Sequence, residues 1–208
     1  MSDVSTPGGA PPTPIEKELL AAVSASRGHF RYESGHHGDL WLDLDGLLVD
    51  ARRVQGWAAE LARRAAAYRP NIVCGPLVGG AFAAQFLAAE LGAGFVYAER
   101  MKSETGAVCY EIAEPLRTIV RGKRVLLADD AVNAGSALTA TLTDLRGCGA
   151  EPVGFASLLA LGDAATRMAR QHDAPFSTIL SLARELWAPE DCPLCRAAVP
   201  LVDRVAEP

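Results

Sequence analysis

Apolar positions along this chain follow two alternating periods. Short apolar runs at 72–74, 95–98, 125–128, 152–161 and 176–181 have the length and content of buried strands. Between and after them, apolar residues recur at helical spacing over 81–91, 136–147 and 164–171, with Gly92 ending the first of these helices. Upstream, 51–68 is rich in Ala and Arg at helical spacing and Pro70 stops it. A further helix is expected from near Pro14 to about Ser24. Segment 29–45 instead alternates with period two through Phe30, Tyr32, Leu40, Leu42 and Leu44, which suits strands joined by a turn at 35–38. Strands alternating with helices build βαβ units, so the pattern predicts an α/β fold with a central parallel β-sheet flanked by helices.

Length and composition narrow this picture. The 208 residues suffice for one good-sized core, and neither an internal repeat nor a second domain boundary is visible. Residues 1–14 are rich in Pro, Gly, Ser and Thr and read as a disordered tail, which leaves 15–208 as a single domain. The net charge is −5 and no run of Lys or Arg offers a stripe for phosphates, which argues against nucleic acid as a partner. No apolar stretch has the length of a membrane span, and the N-terminus lacks signal-peptide order, so a cytoplasmic protein with no membrane association is expected.

The cysteines are Cys74, Cys109, Cys148, Cys192 and Cys195, an odd number that fits reduced thiols. Cys192-Pro-Leu-Cys195 can be half of a zinc site or a redox pair. No second pair with zinc spacing exists, and His36 and His37 complete four ligands only if the chain ends meet. The favoured reading is a structural feature of the tail, with metal or redox chemistry as the alternative.

The candidate chemistry centres on Val125-Leu-Leu-Ala-Asp129-Asp130-Ala-Val-Asn133-Ala134-Gly135-Ser136-Ala137. An apolar strand ends in two carboxylates, then opens into a small-residue turn that leads a helix. Ligands of parallel sheets sit beyond the carboxyl ends of the strands, where Asp129 and Asp130 fall. Carboxylates accept hydrogen bonds from sugar hydroxyls, while the amides of 133–137 and the helix N-terminus suit a phosphate. The segment therefore calls for a hydroxylated sugar beside a monophosphate. A second strand-to-helix turn, Gly75-Pro-Leu77-Val78-Gly79-Gly80, is Gly-rich and also suits an anion.

This arrangement resembles the type I phosphoribosyltransferase family, whose motif for 5-phosphoribosyl-1-pyrophosphate (PRPP) has apolar residues, two acids and a Thr-rich loop. The stretch 28–43, Tyr97-Ala-Glu-Arg100, and Trp187 with Cys192-Pro-Leu-Cys195 are similar to orotate phosphoribosyltransferases in particular, so the likeness spans most of 15–202. It implies a Rossmann-like sheet with a small hood built from about 15–45 and 183–205. It further implies transfer of phosphoribose from PRPP to orotate in pyrimidine synthesis, with Mg2+ held through PRPP rather than by protein ligands. A homodimer sharing its catalytic loop across the interface would follow.

By the same likeness Asp129 and Asp130 hold the ribose and Asn133, Ala134, Gly135, Ser136 and Ala137 the 5-phosphate. Leu77, Val78, Gly79 and Gly80 hold the pyrophosphate, with a non-proline cis peptide expected near Leu77 or Val78. Arg100 and Lys102 close over the pyrophosphate from a mobile loop. Phe30 either stacks on the base or fills the core. Glu33 stands where the family has Lys, Lys102 is the only cation between Arg100 and Pro115, and Asn133 replaces Thr. These departures leave open a transferase for a purine-like base and a non-catalytic regulator that binds PRPP or a nucleotide.

Overall fold

The computed structural model describes residues 11–32, 35–44, 46–102 and 108–203. The chain divides into two compact units, residues 1–47 with 182–208, and residues 48–181.

In chain order the elements are α1 Pro14–Ala22, β1 Ser24–Arg31, β2 His37–Asp43, α2 Ala51–Ala65, β3 Ile72–Pro76, α3 Gly79–Leu91, β4 Gly94–Lys102, β5 Val108–Ile112, α4 Glu114–Val120 and β6 Arg124–Val132. There follow α5 Ser136–Gly147, β7 Glu151–Leu161, α6 Ala164–Gln171, β8 Phe176–Leu182, β9 Leu186–Trp187, α7 Pro193–Arg196 and β10 Val202–Asp203. No described helix is long and apolar enough to cross a membrane.

The larger unit is a six-stranded sheet in the order β5-β4-β3-β6-β7-β8. The pairs β4–β3, β3–β6 and β6–β7 are parallel. Its central strands are buried on both faces, which is why they read as continuous apolar runs. Ile72, Cys74, Val125 and Leu127 share one cluster with Leu138, Leu142 and Leu145 of α5 and with Ala165 and Met168 of α6. Val73, Leu126 and Ala128 alternate with them and are buried too. Helix α2 buries Val54, Trp57, Ala58, Leu61, Ala62 and Ala65, the stripe its spacing predicts. Its N-cap Asp50 accepts the amides of Arg52 and Arg53.

In this larger unit two elements were not expected. Strand β4 runs on to Lys102, and β5 pairs antiparallel with it, Arg100 facing Tyr110 and Lys102 facing Val108. The short helix α4 then returns the chain to β6. Arg117 fixes this return by donating to the Ile112 carbonyl at 3.0 Å and to Asp144 of α5 at 3.0 Å, while the Ile112 amide donates to the same carboxylate at 2.7 Å.

The smaller unit holds a four-stranded sheet, β10-β1-β2-β9. Its β1–β2 register slips between Arg27 and Phe30. Across this bulge the alternation of exposed and buried residues breaks, and His29 and Phe30 are both buried. Helix α1 begins with a capping box in which Thr13 and Glu16 satisfy each other's amides. Residues 1–10, most of the expected tail, lie outside the described residues.

One ion cluster ties α2 to β8. Glu60 accepts from Arg63 and from Arg64, each at 2.7 Å, and Arg64 donates to the carbonyls of Thr178 and Ile179. The hydrogen bond from Arg63, with help from Arg64, pulls the Glu60 carboxyl from its ordinary 4.5 down to about 2 despite its burial. A depressed carboxylate contributes stability above its unfolded value and loses it as pH falls through the folded one. Glu60→Gln should therefore lower stability at neutral pH by about 1 kcal/mol after solvent screening. That corresponds to roughly 2–4 °C in Tm. Thermal melts should show the gap from the parent closing between pH 5 and pH 2; a gap of constant size would remove the charge-based account.

Candidate active site

Strand β6 carries Asp129 and Asp130 and continues through them to Val132, so the acids lie within its carboxyl-terminal part rather than beyond its end. Both are half-buried. The Asp130 amide donates to Asp129 Oδ1 at 3.0 Å, and the Ala131 amide to Asp130 Oδ1 at 2.8 Å. These bonds hold each carboxylate close to its own backbone. Burial, and then the neighbouring charge of Asp130, push Asp129 well above the ordinary carboxylate range.

The turn between β3 and α3 meets these acids. A Cβ on Gly79 would collide with Asp130 Oδ2, and one on Gly80 would lie 2.5 Å from Asp129 Oδ1. A Cβ on Gly75 would collide with the Gly80 carbonyl. The glycines thus permit a close approach of backbone to carboxylate that a side chain would prevent. The Leu77–Val78 peptide is cis, at the place expected. The Leu77 amide donates to the Ala98 carbonyl at 2.9 Å, and Val78 is 66% exposed. No side chain caps the start of α3.

The 133–137 turn leads into α5. Asn133, Ala134 and Ser136 are exposed, Ala137 is half-buried and Gly135 is buried. Gly135 is the N-cap, with φ of +78°, and a Cβ there would lie 2.9 Å from Met168 Sδ of α6. Both the left-handed backbone and the Met168 contact select glycine. No side chain caps this helix either. Its first-turn amides, which lack intrahelical acceptors, sit at an exposed turn and can meet an anion.

Arg100 and Lys102 are exposed, but they lie on β4 within the β4–β5 hairpin and not on a loop. The strand ladder imposes its period of two, which puts these two cations on the same face of the hairpin. The connecting residues 103–107, with Glu104, lie outside the described residues, as does Glu33. Arg117, the next cation along the chain, is committed to Ile112 and Asp144.

In the smaller unit Phe30 is 4% exposed and packs beside Trp41, so of its two expected roles the core role is the one seen. Tyr32 stacks on Trp41, donates to the Leu40 carbonyl and lies under the Arg184 guanidinium. A second group gathers in this unit. His29, His37, Cys192 and Cys195 bring one nitrogen or sulfur each to within 4.8 Å of one another. His37 was a candidate for such a group, but its neighbour His36 is exposed and takes no part. His36 precedes β2, which begins at His37, so of the two only His37 is held in the strand against β1. His29 supplies the other imidazole. Its signal was available in the sequence as a second histidine on the preceding strand, but only the bulge at Gly28 and His29 turns it inward.

Comparisons with known proteins agree with this geometry. Orotate phosphoribosyltransferase of Caldanaerobacter subterraneus subsp. tengcongensis is 29% identical over 197 residues, covering 90% of this chain and 96% of that protein. Orotate phosphoribosyltransferase from Aeropyrum pernix superposes with a TM-score of 0.63 at 22% identity, over 80% of this chain and 93% of that one. Adenine phosphoribosyltransferase from Rhodothermus marinus does so with a TM-score of 0.64 at 22% identity, over 81% and 98%. The model of the phosphoribosyl transferase domain matches residues 48–194, which span both anion turns and the acid pair. With its mostly parallel sheet and these sequence matches, the chain belongs to the phosphoribosyltransferase family.

Proposed function

We propose that this enzyme transfers the 5-phosphoribosyl group of PRPP to orotate, forming orotidine 5′-monophosphate and pyrophosphate. The observation that carries the reading is the meeting, in one unit, of the Asp129–Asp130 pair with the Gly79–Gly80 turn beside the open start of α5. The choice of base is supported by the orotate enzymes matched along nearly the whole chain. The fold alone does not make that choice, since orotate and adenine enzymes superpose equally well.

In this reading a ring nitrogen of orotate forms a bond to C1 of the ribose and loses its proton to solvent. The bond from C1 to pyrophosphate breaks, and its electron pair leaves with the pyrophosphate. No covalent enzyme intermediate is needed. The protein acts by positioning and by electrostatics. The amides of 133–137 hold the 5-phosphate, and Asp129 and Asp130 accept from the ribose hydroxyls. The amides of 77–80 cradle the pyrophosphate, and Arg100 and Lys102 of the hairpin meet its negative charge. The oxygen donors of Asp129 and Asp130 beside a pyrophosphate turn suit Mg2+ carried by PRPP and water, which would offset charge on the leaving group. A homodimer in which the β4–β5 hairpin serves the neighbouring subunit is part of the same proposal, supported by the exposure of Met101 and Val108 on it.

Pyrophosphate release measured with PRPP and Mg2+ against a panel of bases tests the whole reading; turnover with orotate and none with adenine, guanine or hypoxanthine is expected. Tight PRPP binding with no turnover on any base would replace it with a sensor. Asp129→Asn with Asp130→Asn should lower kcat by roughly 10²-fold or more while the protein stays folded. Asp129→Asn alone should raise the Tm of the ligand-free protein by roughly 2–4 °C at pH 7. The sign follows because a raised carboxyl destabilises the fold once it ionises, so that stability falls as pH rises through the folded value. A Tm no higher than the parent's at pH 7 would contradict that electrostatic assignment. Gly79→Ala forces its methyl against Asp130, and a loss of activity of roughly 10²-fold is expected, since small displacements of positioning groups have effects of that size.

A further inference from the structure

We propose that His29 Nε2, His37 Nδ1, Cys192 Sγ and Cys195 Sγ form a closed four-ligand site for Zn2+ that joins the two ends of the chain. The site lies within the smaller unit and takes no part in the phosphoribosyl chemistry.

The four atoms lie within 4.8 Å of one another, close to the spacing of ligands around one ion. His29 Nε2 lies 3.0 Å from His37 Nδ1, 3.4 Å from Cys192 Sγ and 3.7 Å from Cys195 Sγ, and Cys195 Sγ lies 3.3 Å from His37 Nδ1. Zinc bonds of about 2.0–2.1 Å to nitrogen and 2.3 Å to sulfur put tetrahedral ligand atoms roughly 3.3–3.8 Å apart. Three of the ligands are buried, His29 at 2%, His37 at 6% and Cys192 at 0% exposure.

Hydrogen bonding alone does not account for the cluster. His29 Nδ1 lies 2.9 Å from the Val199 carbonyl, an acceptor only, so that nitrogen carries the proton. Nε2 of a neutral His29 then offers a single lone pair. Three polar atoms converge on it: His37 Nδ1, Cys192 Sγ and Cys195 Sγ. If His37 Nδ1 donates to it, neither thiol has an imidazole acceptor; if Cys192 donates to it and Cys195 donates to His37 Nδ1, two imidazole lone pairs face each other at 3.0 Å, whereas a metal ion among the four atoms gives each a partner. The bond from Nδ1 to a backbone carbonyl is also the support that fixes a metal-bound imidazole.

The donor set selects the ion. Thiolate and imidazole exclude Mg2+ and Ca2+, which want oxygen, and fit Zn2+. Binding releases one proton from each thiol, and the two thiolates neutralise the divalent charge, so the site, of whose ligands only Cys195 is exposed, carries no net charge. Four protein ligands leave no open position, which makes the site structural. Cys192 caps α7 and Cys195 lies in that helix, while His29 and His37 come from β1 and β2. The ion would therefore pin the 192–195 turn to strands far away in sequence.

Full-length protein, purified under reducing conditions without chelator, should contain about one zinc per chain by elemental analysis. Cys192→Ser with Cys195→Ser should lose it, and His36→Gln should keep it. After chelation, adding Co2+ to the parent protein should produce a thiolate-to-cobalt charge-transfer band and the strong visible bands of a tetrahedral ion. This titration needs no variant and so stands even if the cysteine variants fail to fold. Three results would each overturn the proposal: zinc retained by the double variant, no cobalt bands on reduced and folded parent protein, or a Cys192–Cys195 disulfide in the protein as isolated. None of these readouts uses turnover, so the assignment of the transferase stands or falls separately.

Discussion

The candidate active site depends on one steric condition: the backbone at Gly79 and Gly80 has no side chain where the Asp129 and Asp130 carboxylates lie. Strands β3 and β6 are parallel neighbours, so their carboxyl ends open on the same side of the sheet. Under the proposed function, that juxtaposition brings acids suited to a sugar and amides suited to an anion into a single place. A side chain at 79 or 80 would force the Asp130 or Asp129 carboxylate out of its present place. Gly135 meets the same kind of condition at the other turn, where Met168 of α6 fills the space a side chain would need.

Electrostatics then decides what must come from elsewhere. A site lined by two carboxylates repels a triply phosphorylated sugar unless each charge faces the right group. The acids suit hydroxyls, and the amides suit phosphates. Under the proposed function, positive charge for a leaving pyrophosphate is scarce near this hairpin, because Arg117 is spent on holding α4 to β5 and α5. Arg100 and Lys102 are what remain on the hairpin, and their shared face on β4 lets them act as a pair. The raised pKa of Asp129 fits the same picture, since the charge is unfavourable until a donor arrives.

Much of this was legible in the chain because its parts are contiguous. A strand, two acids, a small-residue turn and a helix follow one another within thirteen positions, and local propensity and tertiary role agree there. The glycine turn was legible for the same reason, as was the helix stripe of α2. The β4–β5 hairpin was not. Val108–Ile112 is short and weakly patterned, and pairing with an extended β4 rather than its own propensity makes it a strand. The smaller unit was least legible, since its strands β9 and β10 are two residues each and exist only through partners distant in sequence.

The His–Cys group shows where such reading stops. Its ligands span positions 29 to 195, and no periodicity connects them. His36 and His37 are neighbours in sequence, yet His36 lies before β2 and is exposed, while His37 begins the strand and is buried. The bulge at Gly28 and His29 decides the matter, because one extra residue in β1 reverses which side chains face inward beyond it. That bulge would be a liability in a small sheet with a thin core, unless what it turns inward gains a strong partner. An imidazole aimed at a second imidazole and two thiols supplies that partner once an ion sits among them, so the irregularity in the strand and the clustering of the ligands become a single feature with one cause.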